Sequence, residues 1–282
     1  MRFEVIKREA EVACWQKIAD GAEREAHLAE LRRFWAVLDE EFAFVASCNE
    51  GGEFMAPEKI ERLKHIAERR WTRTLDDRIG LSEDERQRKA RQGAQTLPCA
   101  EPLLADRPEH VFERRPSDNL PPDNRWGFRI EVPEHLYNRG EIYNLSIGRG
   151  TLTAEDRYKI NEHIIETIRM LSLLPFPKHL KDVPEIAGGH HEKIDGTGYP
   201  RRLRREEMSV PARIMAIADI FEALTAADRP YKKGKTVTEA IAIMQGMCKG
   251  GHIDPDLFDL FLRAGISHDF AERYLSPEQI DA

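Results

Sequence analysis

The chain has 282 residues, 41% of them hydrophobic and 33% charged, with 43 basic against 50 acidic side chains for a formal net charge of −7. That apolar fraction supports a packed core, in one large domain or two modest ones, and excludes wholesale disorder. The acidic balance gives no global attraction for nucleic-acid phosphates, so a nucleic-acid partner is not expected. The longest apolar stretch, from Ile214 to Ala227, is broken by Asp219 and Glu222, and no membrane span is expected. MRFEVIKREAEV is charged from its second residue and has no apolar leader region. Four well-separated cysteines (Cys14, Cys48, Cys99, Cys248) read as reduced thiols of a cytoplasmic protein.

Residues 1–97 read as a helical N-terminal region. Leu28, Leu31, Trp35, Leu38, Phe42 and Val45 recur at steps of three and four, which predicts one apolar helix stripe. Asn49-Glu50-Gly51-Gly52 stops that helix, and Pro57 fits the first turn of the next. Residues 82–97 are polar, an exposed helix or a loop. Seven prolines between Pro98 and Pro133 block helix and remove amide donors, so 98–140 is expected to be a linker or long loop.

From 141 to 282 the pattern is helical again. Thr153 caps a helix with Ile160, Ile164, Ile168 and Leu171 as its expected buried stripe. A short helix spans Val183 to Glu192, and Gly196, Gly198 and Pro200 make a turn. Ser209 and Pro211 open a very apolar helix, Thr236 or Thr238 opens another, and Asp254-Pro255 opens a last one. No period-2 pattern is strong, and the fold class is all-α.

The densest chemistry lies in His190-His191-Glu192-Lys193-Ile194-Asp195-Gly196-Thr197-Gly198-Tyr199-Pro200. Adjacent histidines on a helix would point about 100° apart and suit two neighbouring metals or a bridged pair better than one ion. Imidazole with carboxylate suits iron, manganese or zinc. Alone, the cluster reads equally well as surface histidines beside a turn. His163, at the edge of an apolar face, is by itself most simply a buried, hydrogen-bonded side chain. Asp219 is almost the only ionisable group of an apolar helix, where a metal, an arginine or a helix-end position would compensate a buried carboxylate. Arg229 and Lys232, just past that helix, suit a phosphate or merely charge the helix end. Arg201-Arg202-Leu203-Arg204-Arg205 reads as a solvated turn that could also attract an anionic dinucleotide.

HHEKIDGTGYP followed by ARIMAIADIFEALTAADRPYKK resembles the HD-GYP family, a subgroup of HD-domain metal-dependent phosphohydrolases. GTLTAEDRYKINEH and HIDPDLFDLFL resemble its flanking helices, for a coverage of about residues 141–265. The resemblance implies an HD-domain-like helical bundle, with an N-terminal helical extension or insertion here. It also implies two or three iron or manganese ions and hydrolysis of cyclic di-GMP to the linear dinucleotide or GMP. His163, His190, His191 and Asp219 are then metal ligands. Tyr199, Pro200, Glu222, Arg229 and Lys232 contact substrate, while Glu192, Asp195, Gly196 and Gly198 shape the motif. A diguanylate cyclase, an upstream sensor domain and a second copy of the chain are the partners to expect.

One departure stands out. The family's opening His-Asp-x-Gly-Lys has no counterpart, since the only His-Asp pair is His268-Asp269, followed by Phe270. His110 and His135 precede no aspartate. Either the site has degenerated or the motif lies upstream of Met1, and the intact remaining ligands favour the second. Weak hydrolysis by this chain is expected. The alternative is a non-catalytic module that binds cyclic di-GMP or a protein.

Overall fold

A computed structural model describes residues 1–282 apart from 51, 122, 227–233 and 282, and apart from the side chain of residue 53. The described residues form eleven helices and six short strands, an all-α architecture with three two-stranded ribbons. They divide into two compact units, residues 1–118 with 133–157, and residues 119–132 with 158–282.

The first unit contains α1 (Arg2–Ala19), α2 (Arg24–Glu50), α3 (Pro57–Ala67), α4 (Glu83–Ala90) and α5 (Glu141–Leu145). Its strands are β1 (Gly52–Phe54), β2 (Arg70–Arg73), β3 (Cys99–Pro102), β4 (Val111–Glu113), β5 (His135–Asn138) and β6 (Arg149–Gly150). They pair antiparallel as β1–β6, β2–β3 and β4–β5. The core joins Ile6 of α1, Leu38 of α2, Ile66 of α3 and Leu103. Part of the expected α2 stripe is therefore inside, but Phe42 stays 55% exposed, its ring edge against Phe3. Ion pairs complete the unit. Glu41, on the inner side of α2, takes both Arg69 donors. Glu101 of β3 is held between Arg73 (2.7 Å) and Arg107 (2.6 Å). The 82–97 segment does form a helix at α4, started by reciprocal bonds between Ser82 and Glu85.

The second unit holds α6 (Ala154–Leu171, counted here from Tyr158), α7 (Val183–Gly188), α8 (Val210–Thr225), α9 (Val237–Lys249), α10 (Pro255–Arg263) and α11 (Ile266–Tyr274). Helices α8, α9 and α10 start at side-chain caps. Ser209 Oγ accepts from Ala212 N, Thr236 forms a reciprocal cap with Glu239, and Asp254 accepts from the Asp256 and Leu257 amides. One core joins Ile217 and Phe221 of α8, Ala240 and Met244 of α9, Ile253, and Phe258 of α10. Burying a side chain such as Phe221 contributes about 1.5–3 kcal/mol. A second core joins Ile164, Ile165 and Ile168 of α6 to Phe128. Ile165 replaces the expected Ile160, which is exposed. Helix α11 was not anticipated: Gly265 (φ 71°) turns the chain through the left-handed region directly into it.

Asp254 ties the unit together. Its side chain is fully buried and bonds to Arg205 and Arg213 as well as to the α10 amides. Burial would raise its pKa, but those cations and amides prevail and hold it at about 2. A depressed carboxylate pKa stabilises the fold above the unfolded value and loses that contribution as pH falls through the folded value. We expect Asp254→Asn to destabilise the protein by about 3–5 kcal/mol at pH 7, since it leaves the mostly buried Arg213 without its counter-charge and Arg205 with Asp256 alone. In denaturant unfolding, the gap to wild type should shrink between pH 4 and pH 2, the window set by that shift.

Candidate metal centre

Two absent β-carbons set the frame. A Cβ on Gly188 would stand 2.7 Å from the Ile168 side chain of α6, and one on Gly189 would stand 2.7 Å from Ala212 Cβ of α8. The end of α7 therefore meets its two neighbours at a separation that admits no side chain at either position. α7 is further tied to α8 through Glu185, which accepts from Ser209 N and Oγ at 3.2 and 2.7 Å.

His190 and His191 follow at once. The expected helix to Glu192 ends instead at Gly188, so both histidines sit in the turn beyond it. This removes the expected 100° divergence. Their ring centroids lie 4.1 Å apart, and His163 of α6 brings its ring to 5.0 Å from His191 and 6.4 Å from His190. One ligand atom from each of the three lies within 4.8 Å of the others. That spread suits one ion, or a pair about 3.5–4 Å apart.

The hydrogen bonds fix the tautomers. His163 Nδ1 lies 2.6 Å from the Ile160 carbonyl, and His190 Nδ1 lies 2.7 Å from the Ala187 carbonyl. A carbonyl can only accept, so both Nδ1 atoms carry the proton and both Nε2 atoms offer lone pairs. His191 Nε2 lies 3.2 Å from His163 Nε2. His191 must be the donor there, which puts its proton between two nitrogens spaced like neighbouring ligands at bond lengths of about 2.0–2.1 Å. Burial, then the nearby His190 and His163, lowers the His191 pKa to about 4, against a smaller opposing pull from Asp219. His191 is thus presented neutral, as a cation requires, and the donor set fits a divalent first-row metal.

Asp219 of α8 is exposed rather than buried, so the expected cost of burying it does not arise. Its charge reaches both His191 and Tyr199, though it is not in the 4.8 Å group. Glu222 is exposed one turn further along α8. The Tyr199 ring stacks on His191, with centroids 4.8 Å apart and planes at 17°. Burial and Asp219 raise its phenol to about 12, which keeps it a donor at neutral pH. Pro200, joined by a cis peptide, accepts from the Arg129 amide at 2.7 Å. Arg229 and Lys232 lie outside the described residues.

The rest of the motif holds the loop. Glu192 is fully buried and accepts from the Arg201 and Leu203 amides at 2.6 and 2.9 Å. Burial nonetheless raises its carboxyl above the ordinary value. Asp195 accepts from Thr197 N and Oγ1; burial opposes ionisation, but these bonds bring its pKa below normal. Gly196 turns at φ 81°, and a Cβ on Gly198 would fall 2.3 Å from the Lys193 nitrogen.

The arginine run is solvated only in part: Arg202 and Arg204 are exposed, Arg202 in a surface pair with Glu131, while Arg201 bonds to the Trp126 carbonyl and Arg205 to Asp254 and Asp256. Sequence reasoning missed the support from 119–132, where Trp126 and Phe128 stack 5.9 Å apart and pack towards α6 and Tyr199. The signal available was Asn124, whose side chain closes the turn by bonding both Phe128 N and Phe128 O. His110, His135 and His268 serve elsewhere: His110 accepts from Arg107 N, His135 pairs in β5, and His268 pairs with Glu272.

The HD domain family profile matches residues 98–257, more than half of the chain. The chain belongs to that family, and its HHEKIDGTGYP segment places it in the HD-GYP group. It is 46% identical over 136 residues to a cyclic di-GMP phosphodiesterase of Pseudomonas aeruginosa, covering 48% of this chain and 30% of the relative. It is 45% identical over 137 residues to the cyclic di-GMP phosphodiesterase response regulator RpfG of Xanthomonas campestris, covering 48% and 35%. A 3'3'-cGAMP-specific phosphodiesterase of Vibrio cholerae is 34% identical over 148 residues, covering 49% and 33%. The chain spans about a third of the length of these curated relatives.

Two outcomes follow. In metal-free protein at pH 8, nitrogen-detected NMR should show Nδ1–H tautomers for His163 and His190 and an Nε2–H tautomer for His191, with His191 neutral until pH approaches 4. Any other assignment for His163 removes the argument from its carbonyl. Gly189→Ala should destabilise the protein by about 1–3 kcal/mol through overpacking. Gly246→Ala, in open space on α9, should instead stabilise by about 0.4–1 kcal/mol in thermal unfolding.

Proposed function

We propose that this chain carries the metal centre and substrate loop of a metal-dependent phosphodiesterase acting on cyclic di-GMP. The observation that supports this most is the convergence of three imidazoles with His163 and His190 locked by backbone carbonyls so that Nε2 faces outward for coordination. His163, His190 and His191 would hold the metal, with Asp219 as the nearby carboxylate and iron or manganese as the ion. A bound divalent ion supplies Lewis acidity, lowering the pKa of a water and neutralising phosphate charge.

The chain's own residues do the rest. Tyr199 keeps its phenolic proton and its stacked place over His191. Glu192 fixes the loop after Pro200, so that loop cannot swing away without leaving a buried carboxylate unpartnered. Glu222, Arg229 and Lys232 are the further substrate contacts we assign. The relatives' names divide between cyclic di-GMP and 3'3'-cGAMP, and both are cyclic dinucleotides with two phosphodiester bonds.

The chain has no His-Asp-x-Gly-Lys, so we expect metal binding with weak turnover. Metal analysis of purified protein and turnover of cyclic di-GMP and 3'3'-cGAMP with added manganese test both parts. Bound manganese should fall at least tenfold in His191→Ala. Failure to bind any divalent metal would sink the reading, and robust turnover would sink the weak-site part. Tight binding of cyclic di-GMP without hydrolysis would favour the second reading, a cyclic di-GMP receptor that engages a diguanylate cyclase or a sensor domain. The missing motif is what favours that alternative.

A further inference from the structure

The first unit encloses a cavity of about 480 Å³ whose walls include Trp71, Leu81, Arg88, Glu109, Phe112 and Arg139. That volume is in the range of small-molecule sites. The basic side chains around it fall into two sets. Arg73 and Arg107 are neutralised by Glu101, Lys89 by Asp77 and Arg2 by Glu141. Arg88 and Arg139 form no ion pair among the described residues; they lie over the ring of Phe112, with Cζ 4.0 and 4.7 Å from its centroid. The carboxylate nearest in effect, Glu85, is already bonded to Ser82. Two guanidinium groups gathered on one ring repel each other, and a shared oxyanion relieves this with bidentate bonds.

Polar groups packed behind the wall are unmet as well. Among the described residues five buried side-chain atoms lack a hydrogen-bond partner, and three of them, Trp71 Nε1, Arg88 Nε and Glu109 Oε2, belong to residues of this cavity. The Glu109 side chain is nine-tenths buried, and its other oxygen lies 3.8 Å from Arg107. Such clustering of unsatisfied donors and acceptors is unusual in a finished interior.

We propose that this cavity is a ligand site taking a small oxyanion, phosphate or carboxylate, carried on a flat ring that bears an N–H group. Arg88 and Arg139 receive the oxyanion, Leu81, Trp71 and Phe112 receive the ring, and Glu109 turns its covered oxygen into the cavity to accept the N–H. None of these residues belongs to the histidine cluster, so the site stands or falls independently of the phosphodiesterase reading.

The test is calorimetric titration of the full chain in EDTA, which removes any metal-dependent binding. The probes are GMP, indole-3-carboxylate and inorganic phosphate. At least one ring-bearing probe should bind in the micromolar range, with inorganic phosphate at least about tenfold weaker, a difference of about 1.4 kcal/mol. Which ring-bearing probe wins assigns the oxyanion as phosphate or carboxylate. Arg88→Met and Arg139→Met should each weaken that binding at least tenfold with unchanged circular dichroism. Glu109→Gln should weaken the ring-bearing probe and leave inorganic phosphate unaffected, and His191→Ala should bind as wild type. The proposal is overturned if neither ring-bearing probe binds at millimolar concentration, if both arginine variants bind normally, or if His191→Ala loses binding.

Discussion

The end of α7 can lie against Ile168 of α6 and Ala212 of α8 as closely as it does only where no side chain intervenes. Residues 188 and 189 satisfy that condition, one towards each neighbour. Everything at the histidine cluster inherits its position from this contact. His163 is carried on α6, Asp219 on α8, and His190 and His191 on the turn that leaves α7. Any thickening at the glycines would move one helix against the others, and a ligand set is sensitive to such movement because useful metal bonds tolerate only about 0.2 Å. The carbonyl bonds of His163 and His190 add orientation to that placement: each uses the local helix or turn backbone to choose which ring nitrogen remains basic.

The loop beyond the histidines is held by a different device. Glu192 follows the two adjacent histidines directly but faces inward, where its two oxygens fasten the chain on the far side of Pro200. Gly198 passes so close to Lys193 that the strand of chain and the turn share one wall. Segment 119–132 closes the outside through Arg129, Trp126 and Glu131. The result is a Tyr199 ring fixed on His191 from three directions, without any regular secondary structure in the loop itself.

Much of this was legible before any coordinates. Ser209, Asp254 and one of Thr236 and Thr238 marked helix starts, the structure using Thr236, because a short polar side chain before an apolar run has one dominant use. The association of His163, His190 and His191 followed from motif resemblance, and their gathering in space agrees with it. What the text hid was decided by long-range partners. Arg201 and Arg205 looked like solvated charge because their acceptors are as much as 75 residues away along the chain. Strands β2 and β3 have no alternating pattern, since the link that accompanies their register is the Arg73–Glu101 ion pair rather than an apolar face. The end of α7 was set too late because the expected helix ran straight through Gly188 and Gly189, whose purpose comes from tertiary crowding.

The second unit is discontinuous: its segment 119–132 is separated from residue 158 onward by chain that belongs to the first unit. No single scission could therefore liberate it whole. Proteolysis between residues 132 and 158 would leave the support of the Pro200 loop attached to the other fragment, and a ribosome must finish both stretches before that support can form. Recombination that exchanges one contiguous gene segment would meet the same obstacle, so the two units are bound to be inherited together.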